Sequence, residues 1–278
     1  MTLAEVIHKT SGRLEAAGLE DSLWQTKVLV AHVVALQPGQ LHLQNNLSFD
    51  HTLQEKLSAL VEKRISGIPL QHVIGEWDFY GRTFKVDRRA LIPRPETELL
   101  VEFITTAELP PRPLIMDVGT GSGIIGISLA LEIPGSRVTG TDISTAAIEL
   151  AQENKLLLNA ENFSTVNCNL AEEPDKQFDV IVANLPYIPS EEISGLHPEV
   201  KDHDPLRALD GGTRGTLLIL ELIKSAPGKL KSGGLIVLET GYDQEDAVPA
   251  FFPEDLWADI RTHKDMAGNH RMVTARRR

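Results

Sequence analysis

Between residue 3 and about residue 70 the apolar positions recur every three or four places. Leu3, Val6, Ile7 and Leu14 make one stripe, Trp24, Val28, Leu29 and Val33 a second, and Leu53, Leu57, Leu60 and Val61 a third. Such spacing gathers each set on one face of an α-helix. Gly18, Pro38-Gly39 and Gly67 separate the stripes, and Asp21 and Asp50 stand where N-caps are favoured. The pattern predicts a small helical bundle. Its histidines, His8, His32, His42 and His51, are scattered and read as surface or structural residues rather than ligands.

At residues 76–90 the period changes to two. The stretch EWDFYGRTFKVDRRA alternates around Gly81 and predicts a β-hairpin that joins two regions. Pro95 and Glu96 then open a helix, where proline and acids are favoured. Beyond residue 112, strand-like runs at 113–118, 137–142, 164–168, 178–183 and 234–240 alternate with helical segments, one of them capped by Ser144. Strand–helix alternation predicts an α/β, Rossmann-like doubly wound sheet, with ligands beyond the carboxyl ends of the strands. Past residue 256, two segments flanking Met266-Ala267-Gly268-Asn269 predict a closing antiparallel hairpin. The expected organisation is a helical bundle over 1–75, a hairpin linker over 76–90 and an α/β domain over 91–278.

Composition narrows the classes. A 278-residue chain with 42% hydrophobic residues can bury one large core and one small one. Its net charge of −12 argues against a protein that clings to nucleic acid through its overall field. The C-terminal Arg276-Arg277-Arg278 reads as a solvated, frayed end. Cys168 is the single cysteine, so no intramolecular disulfide or thiolate metal cluster can form, and no metal is expected. The N-terminal stretch is amphipathic and contains acids, unlike a signal peptide, and no apolar run reaches membrane-spanning length. The expectation is a cytoplasmic monomer with no membrane partner and no direct nucleic-acid binding.

Candidate chemistry sits at predicted strand ends. MDVGTGSGIIG follows the first strand of the α/β region, and its Gly119, Thr120, Gly121, Ser122 and Gly123 form a loop whose backbone can approach a ligand at a helix N-terminus. Read alone, the loop also fits a dinucleotide fingerprint. Asp142 ends the second strand, where an acid accepts hydrogen bonds from ribose hydroxyls. Asp117 precedes the loop; a carboxylate there would repel a pyrophosphate but suits a ligand bearing an ammonium and a sulfonium. This favours S-adenosylmethionine over a nicotinamide cofactor. The fourth strand ends in Asn184-Leu185-Pro186-Tyr187, beside that cofactor. A planar amino group has a delocalised lone pair and needs positioning more than deprotonation. The Asn184 carboxamide oxygen can accept one N–H and the Leu185 carbonyl the other. Pro186 stiffens the turn, and Tyr187 offers a flat face for stacking. The tetrapeptide by itself leaves adenine N6, cytosine N4 and a glutamine amide open.

Seven separated segments resemble the HemK/PrmC family, the glutamine N5-methyltransferases of peptide chain release factors. They are LIPRPETELLV (91–101), DVGTGSGIIGISLA (117–130), TDIS (141–144), ANLPYIP (183–189), ALDGGTRG (208–215), LETGYDQ (238–244) and KDMAGNHRMV (264–273). The tetrapeptide is also similar to that of ribosomal RNA adenine dimethyltransferases, but the Pro-Arg-Pro-Glu-Thr-Glu stretch ahead of the glycine loop is absent from generic methyltransferases and marks the HemK/PrmC resemblance. The HemK/PrmC resemblance implies a class I S-adenosylmethionine-dependent methyltransferase fold over 91–278, with the helical bundle helping to recognise the release factor around its Gly-Gly-Gln loop. It implies that Asp117, Gly119 to Gly123, Asp142 and Asn184 hold the cofactor and that Asn184 to Tyr187 hold the glutamine amide. Arg94 and Glu96 are expected either to shape the pocket floor or to pack and cap the helix start. Two departures stand out. Leu185 replaces the family's usual first proline, and Asn169 and Leu170 replace an Asp and an aromatic residue after the third strand. Asn169 can still accept from the adenine amino group through its carbonyl and Leu170 can cover the ring, with looser cofactor binding expected.

Overall fold

In a computed structural model, residues 1–44, 48–172 and 176–278 are described. The chain divides into two compact units, Met1–Gly75 and Glu76–Arg278.

The first unit holds helices α1 (Leu3–Ala16), α2 (Ser22–Val33), α3 (His51–Ile65) and α4 (Leu70–Ile74). Thr2 and Glu5 close a capping box on α1, and the Asp50 carboxylate accepts from the Leu53 N–H to cap α3. Asp21 does not cap α2; it sits at the helix start in the left-handed region and makes no side-chain cap bond. The first and third apolar stripes face inward at Leu3, Val6, Leu14, Leu57 and Val61. The second is rotated: Trp24 is 50% exposed, while Gln25, Thr26, Leu29 and Val30 are buried. The reason is a polar pair in the core. The Gln25 carbonyl accepts from Arg64 Nε at 2.7 Å, and its amide donates to the Glu20 carbonyl at 2.7 Å. A buried guanidinium must be bonded, so α2 presents its glutamine where a stripe of hydrophobic residues alone would present Trp24.

The second unit begins with strands β1 (Glu76–Phe79) and β2 (Arg82–Lys85), an antiparallel pair turned at Tyr80-Gly81 with both residues at positive φ. Then come α5 (Glu98–Thr106), β3 (Leu114–Val118), α6 (Ile124–Glu132), β4 (Arg137–Asp142), α7 (Thr145–Leu158), β5 (Phe163–Asn167), β6 (Phe178–Ala183), α8 (Pro198–Lys201), α9 (Leu217–Lys229), β7 (Leu230–Glu239), β8 (Trp257–Lys264) and β9 (His270–Arg277). The strands form a seven-stranded sheet in the order β5-β4-β3-β6-β7-β9-β8. It is parallel from β5 to β7, and the closing hairpin pairs antiparallel onto β7 through β9. The expected arginine tail is not frayed. Arg277 belongs to β9, and Arg278 donates from its backbone to Leu256 and from its side chain to the Glu254 and Trp257 carbonyls.

Both faces of the sheet are covered. Ile115, Val180, Val182, Leu235 and Val237 point to a core shared with α5, α6 and the hairpin residues Phe79 and Phe84. Met116, Val118, Ile181, Ala183, Ile236 and Leu238 point to the opposite core with α9. The period of two explains why Asp117 and Glu239, near strand ends, fall on the α5–α6 side and are buried. The buried Asn154 of α7 ties three segments together: its amide donates to the carbonyls of Lys85 and Ser122, and its oxygen accepts from the Lys85 N–H. No helix among the described residues is long and apolar enough to cross a membrane.

Two helical glycines should respond oppositely to alanine. A Cβ at Gly126 in α6 would lie 2.5 Å from Phe163 and 2.9 Å from the Asp117 carboxylate, whereas one at Gly12 in α1 would meet nothing within 4 Å. In urea unfolding, Gly126→Ala should lose about 1–3 kcal/mol through overpacking. Gly12→Ala should gain about 0.5–1 kcal/mol from backbone entropy.

Candidate active site

The sheet order reverses between β3 and β6, so the loops leaving these neighbours diverge and open a crevice at the carboxyl edge. A cavity of about 680 Å³ lies there. Gly119 and Gly121 line it from the loop after β3, Asp142 to Ser144 from the end of β4, Asn169 and Leu170 from the end of β5, and Asn184 to Pro186 from the end of β6.

The glycine loop is held from behind. Asp117 Oδ2 accepts from Thr120 Oγ1 at 2.6 Å and from the Gly126 N–H at 2.9 Å, so the carboxylate staples the loop to the first turn of α6. Its other oxygen, Oδ1, is buried without a partner. Burial, partly offset by these two bonds, pushes the Asp117 carboxyl up to about 6. Asp117, Thr120, Ser122 and Gly123 are not among the residues that line the cavity; of the loop, Gly119 and Gly121 are. Gly119 has φ of +72°, and a Cβ there would come within 3.0 Å of Leu185 Cδ2, so a side chain would close the approach.

Asp142 accepts from the Gly121 N–H at 3.0 Å and the Ser144 N–H at 2.8 Å, one bond on each oxygen. Each oxygen keeps a further lone pair for a ligand. Burial raises its pKa, with those bonds and the charge of Arg207 working the other way. Leu170 adopts a left-handed backbone, φ +44°, fixed by the Thr141 hydroxyl that donates to its carbonyl at 2.8 Å. Asn169 donates through its side chain to Glu172 at 3.1 Å.

Beyond β6 the tetrapeptide is clamped on both sides. The Asn184 amide donates to Thr97 Oγ1 at 3.1 Å, and Thr97 donates to Glu239 Oε2 at 2.7 Å. Tyr187 is not turned into the cavity for stacking: its ring packs on the α9-side core and its hydroxyl donates to Glu239 Oε1 at 3.3 Å. Gln244 donates to the Tyr187 carbonyl at 3.0 Å, and Ile188 exchanges backbone bonds with Leu209 and Gly211. Burial pushes the Glu239 carboxyl up to about 7 against the donors Thr97 and Tyr187 and the charge of Arg271. Burial and the nearby Glu239 charge raise the Tyr187 hydroxyl further.

Arg94 and Glu96 do not form the cavity floor. Arg94 donates to the buried Asp204 at 2.9 Å, and Asp204 also accepts from the Ile92 N–H, so the pair fixes the segment before α5. Reading the sequence strand by strand missed Thr97, Glu239 and Gln244. All three lie in the LIPRPETELLV and LETGYDQ segments already singled out, but nothing in their spacing says that they meet. Arg89, Leu206 and Arg207, which also line the cavity, carried no motif signal.

A parallel sheet ending in an antiparallel hairpin, with a glycine loop and an acid at adjacent strand ends, defines a class I methyltransferase. Residues 94–203 match the family described as ribosomal protein L11 methyltransferase (PrmA), and residues 5–75 match the PrmC N-terminal domain. A methyltransferase structure from Pyrococcus furiosus shares the fold with a TM-score of 0.54 at 16% identity, over 81% of this chain and 98% of that one. The chain belongs to the release factor glutamine methyltransferase family. It is 34% identical to the release factor glutamine methyltransferase of Koribacter versatilis over 100% of this chain and 99% of that protein, and 35% identical to that of Mycobacterium leprae over 99% and 97%.

The buried acid gives a pH signature. Glu239 holds its proton more tightly folded than unfolded, between its ordinary value of 4.5 and about 7. The folded state therefore binds more protons in that window, and stability falls as pH rises through it. Glu239→Gln removes this contribution. From about pH 5 to about pH 7.5 the melting temperature of the wild type should drop a few degrees more than that of the variant, followed by calorimetry.

Proposed function

We propose that this protein transfers a methyl group from S-adenosylmethionine to the side-chain amide nitrogen of the glutamine in the Gly-Gly-Gln motif of class 1 peptide chain release factors. The observation that carries the reading is the Asn184 carboxamide, which lines the cavity with its NH₂ end held by Thr97. The substrate follows from full-length similarity to enzymes named for that reaction.

The residues present fit the cofactor. Gly119 admits close backbone approach and Asp142 keeps lone pairs for ribose hydroxyls, while Asp117, behind the loop and outside the cavity, holds that loop in shape. Asn169 and Leu170 would flank the adenine. S-adenosylmethionine, when bound, supplies an electrophilic methyl on a sulfonium. The chain's own work is to hold and orient. Asn184 Oδ1 accepts one amide N–H of the substrate and the Leu185 carbonyl the other, turning the nitrogen's lone-pair face toward the cofactor. As that nitrogen forms its new bond its protons grow more acidic, so both acceptors hold the transition state more strongly than the ground state. The proton that the nitrogen sheds as the new bond forms is acidic enough to pass to solvent, so no general base is required. Tyr187 supports the clamp from behind through Glu239. We assign recognition of the release factor to the Met1–Gly75 unit, which matches the PrmC N-terminal domain.

Labelled methyl from S-adenosylmethionine should appear on a purified bacterial release factor and not on its Gln→Ala variant in the Gly-Gly-Gln loop. Label on neither, with cofactor binding intact, overturns the assignment. Asn184→Ala should lower kcat about a hundredfold or more, as removal of an oriented transition-state partner does, and leave cofactor affinity within a few-fold.

A further inference from the structure

Thr97 precedes α5, is fully buried, and lies outside the cavity. Its hydroxyl has one proton, which it donates to Glu239 Oε2 at 2.7 Å. With the proton committed there, Oγ1 can only accept from Asn184, 3.1 Å away. Only the NH₂ end of a carboxamide can donate. The two ends of an asparagine amide are nearly identical in shape, so packing alone does not choose between them. The direction of this chain of hydrogen bonds does.

We propose that Thr97 and Glu239 are positioning residues that lock the polarity of Asn184: Glu239 Oε2, accepting the Thr97 hydroxyl proton, orients that hydroxyl, and Thr97 keeps the Asn184 amide nitrogen turned away from the substrate so that Oδ1 faces it. The proposal rests on the reading that Asn184 accepts from a substrate N–H. Reversal of the amide would present a donor to a donor. The second carboxylate oxygen, Oε1, takes the Tyr187 hydroxyl at 3.3 Å, so Glu239 also ties the far end of the tetrapeptide to the same anchor. This gives the Pro-Arg-Pro-Glu-Thr-Glu stretch a task that the cavity lining alone does not disclose: its threonine acts through Asn184.

The test is methyl transfer to a release factor with Thr97→Val, which keeps the shape and removes the hydroxyl, beside Thr97→Ser, which keeps the hydroxyl. The valine variant should lose at least about tenfold in kcat, because an amide donor facing a methyl group is left unpaired and the amide turns over. KM for the release factor and the dissociation constant for S-adenosylmethionine should stay within about twofold. The serine variant should remain within about threefold of wild type. In an Asn184→Ala background, Thr97→Val should cost less than about twofold more, since a residue that acts only through Asn184 has nothing left to position. Wild-type kcat in Thr97→Val, failure of serine to rescue, or the full loss repeated in the Asn184→Ala background overturns the proposal. Should Thr97→Val not fold, hydrogen exchange of the ¹⁵N-labelled Asn184 side chain in the wild-type protein decides. Slowing of at least about tenfold for an Nδ2 proton supports the bond to Thr97, and exchange at the rate of a free side chain refutes it. If wild type itself transfers no label to the release factor, the functional reading fails instead, and the exchange measurement still judges the bond.

Discussion

A sheet covered on both faces leaves one place for polar chemistry, its edge, and this constraint organises the Glu76–Arg278 unit. In the central stretches of β3, β6 and β7 the apolar residues alternate between one core and the other. The acids and the carboxamide of the site gather where strands run out. Asp117, Asp142, Asn184 and Glu239 occupy or immediately follow such ends. Two of them, Asp117 and Glu239, are still on the inward side and are buried for it. Desolvating a carboxylate is costly unless donors are fixed around it. The first turn of α6 supplies them to Asp117, and the hydroxyls of Thr97 and Tyr187 supply them to Glu239. The same donors position the glycine loop and the Asn184 turn. Cost and positioning therefore belong to one set of bonds.

Much of this was legible in the sequence because it is local. Period-two and period-3.6 patterns located the strands, the helices, the change at residue 76 and the antiparallel close. Boundaries shifted where tertiary pairing extends a strand: β7 begins at Leu230 although the apolar run starts at Leu235, since Leu230 already pairs with Phe178. The rotation of α2 was not legible, because it depends on Arg64, thirty-nine positions from Gln25, needing a buried acceptor. At the site, residues that touch the cavity through backbone or loop could be found from their spacing. The supporting layer could not. Thr97 reads as an ordinary residue at a helix start, Glu239 as the last residue of a strand, and Tyr187 as a stacking ring; only their meeting gives them other roles.

The left-handed backbone at Leu170 is a similar case. A branched side chain does not favour φ of +44°, and the Thr141 hydroxyl on its carbonyl holds it there. An aromatic residue in that place would offer a ligand a broad face; leucine offers less area, and the fixed backbone directs what it has toward the cavity.

The separations along the chain carry a consequence for how the protein comes into being. The Asn184–Thr97 bond joins residues 87 positions apart and the Thr97–Glu239 bond residues 142 apart. β7 also has β6 on one side and β9, which follows it in the chain, on the other. During synthesis, then, the glycine loop and its helix can form early, from neighbours in sequence, while the carboxylate that anchors the Asn184 turn emerges later and lacks a settled strand until β9 follows. A nascent chain could hold the first half of the site well before it acquires the second. Competence for chemistry thus waits on a strand that follows the glycine loop by more than a hundred residues.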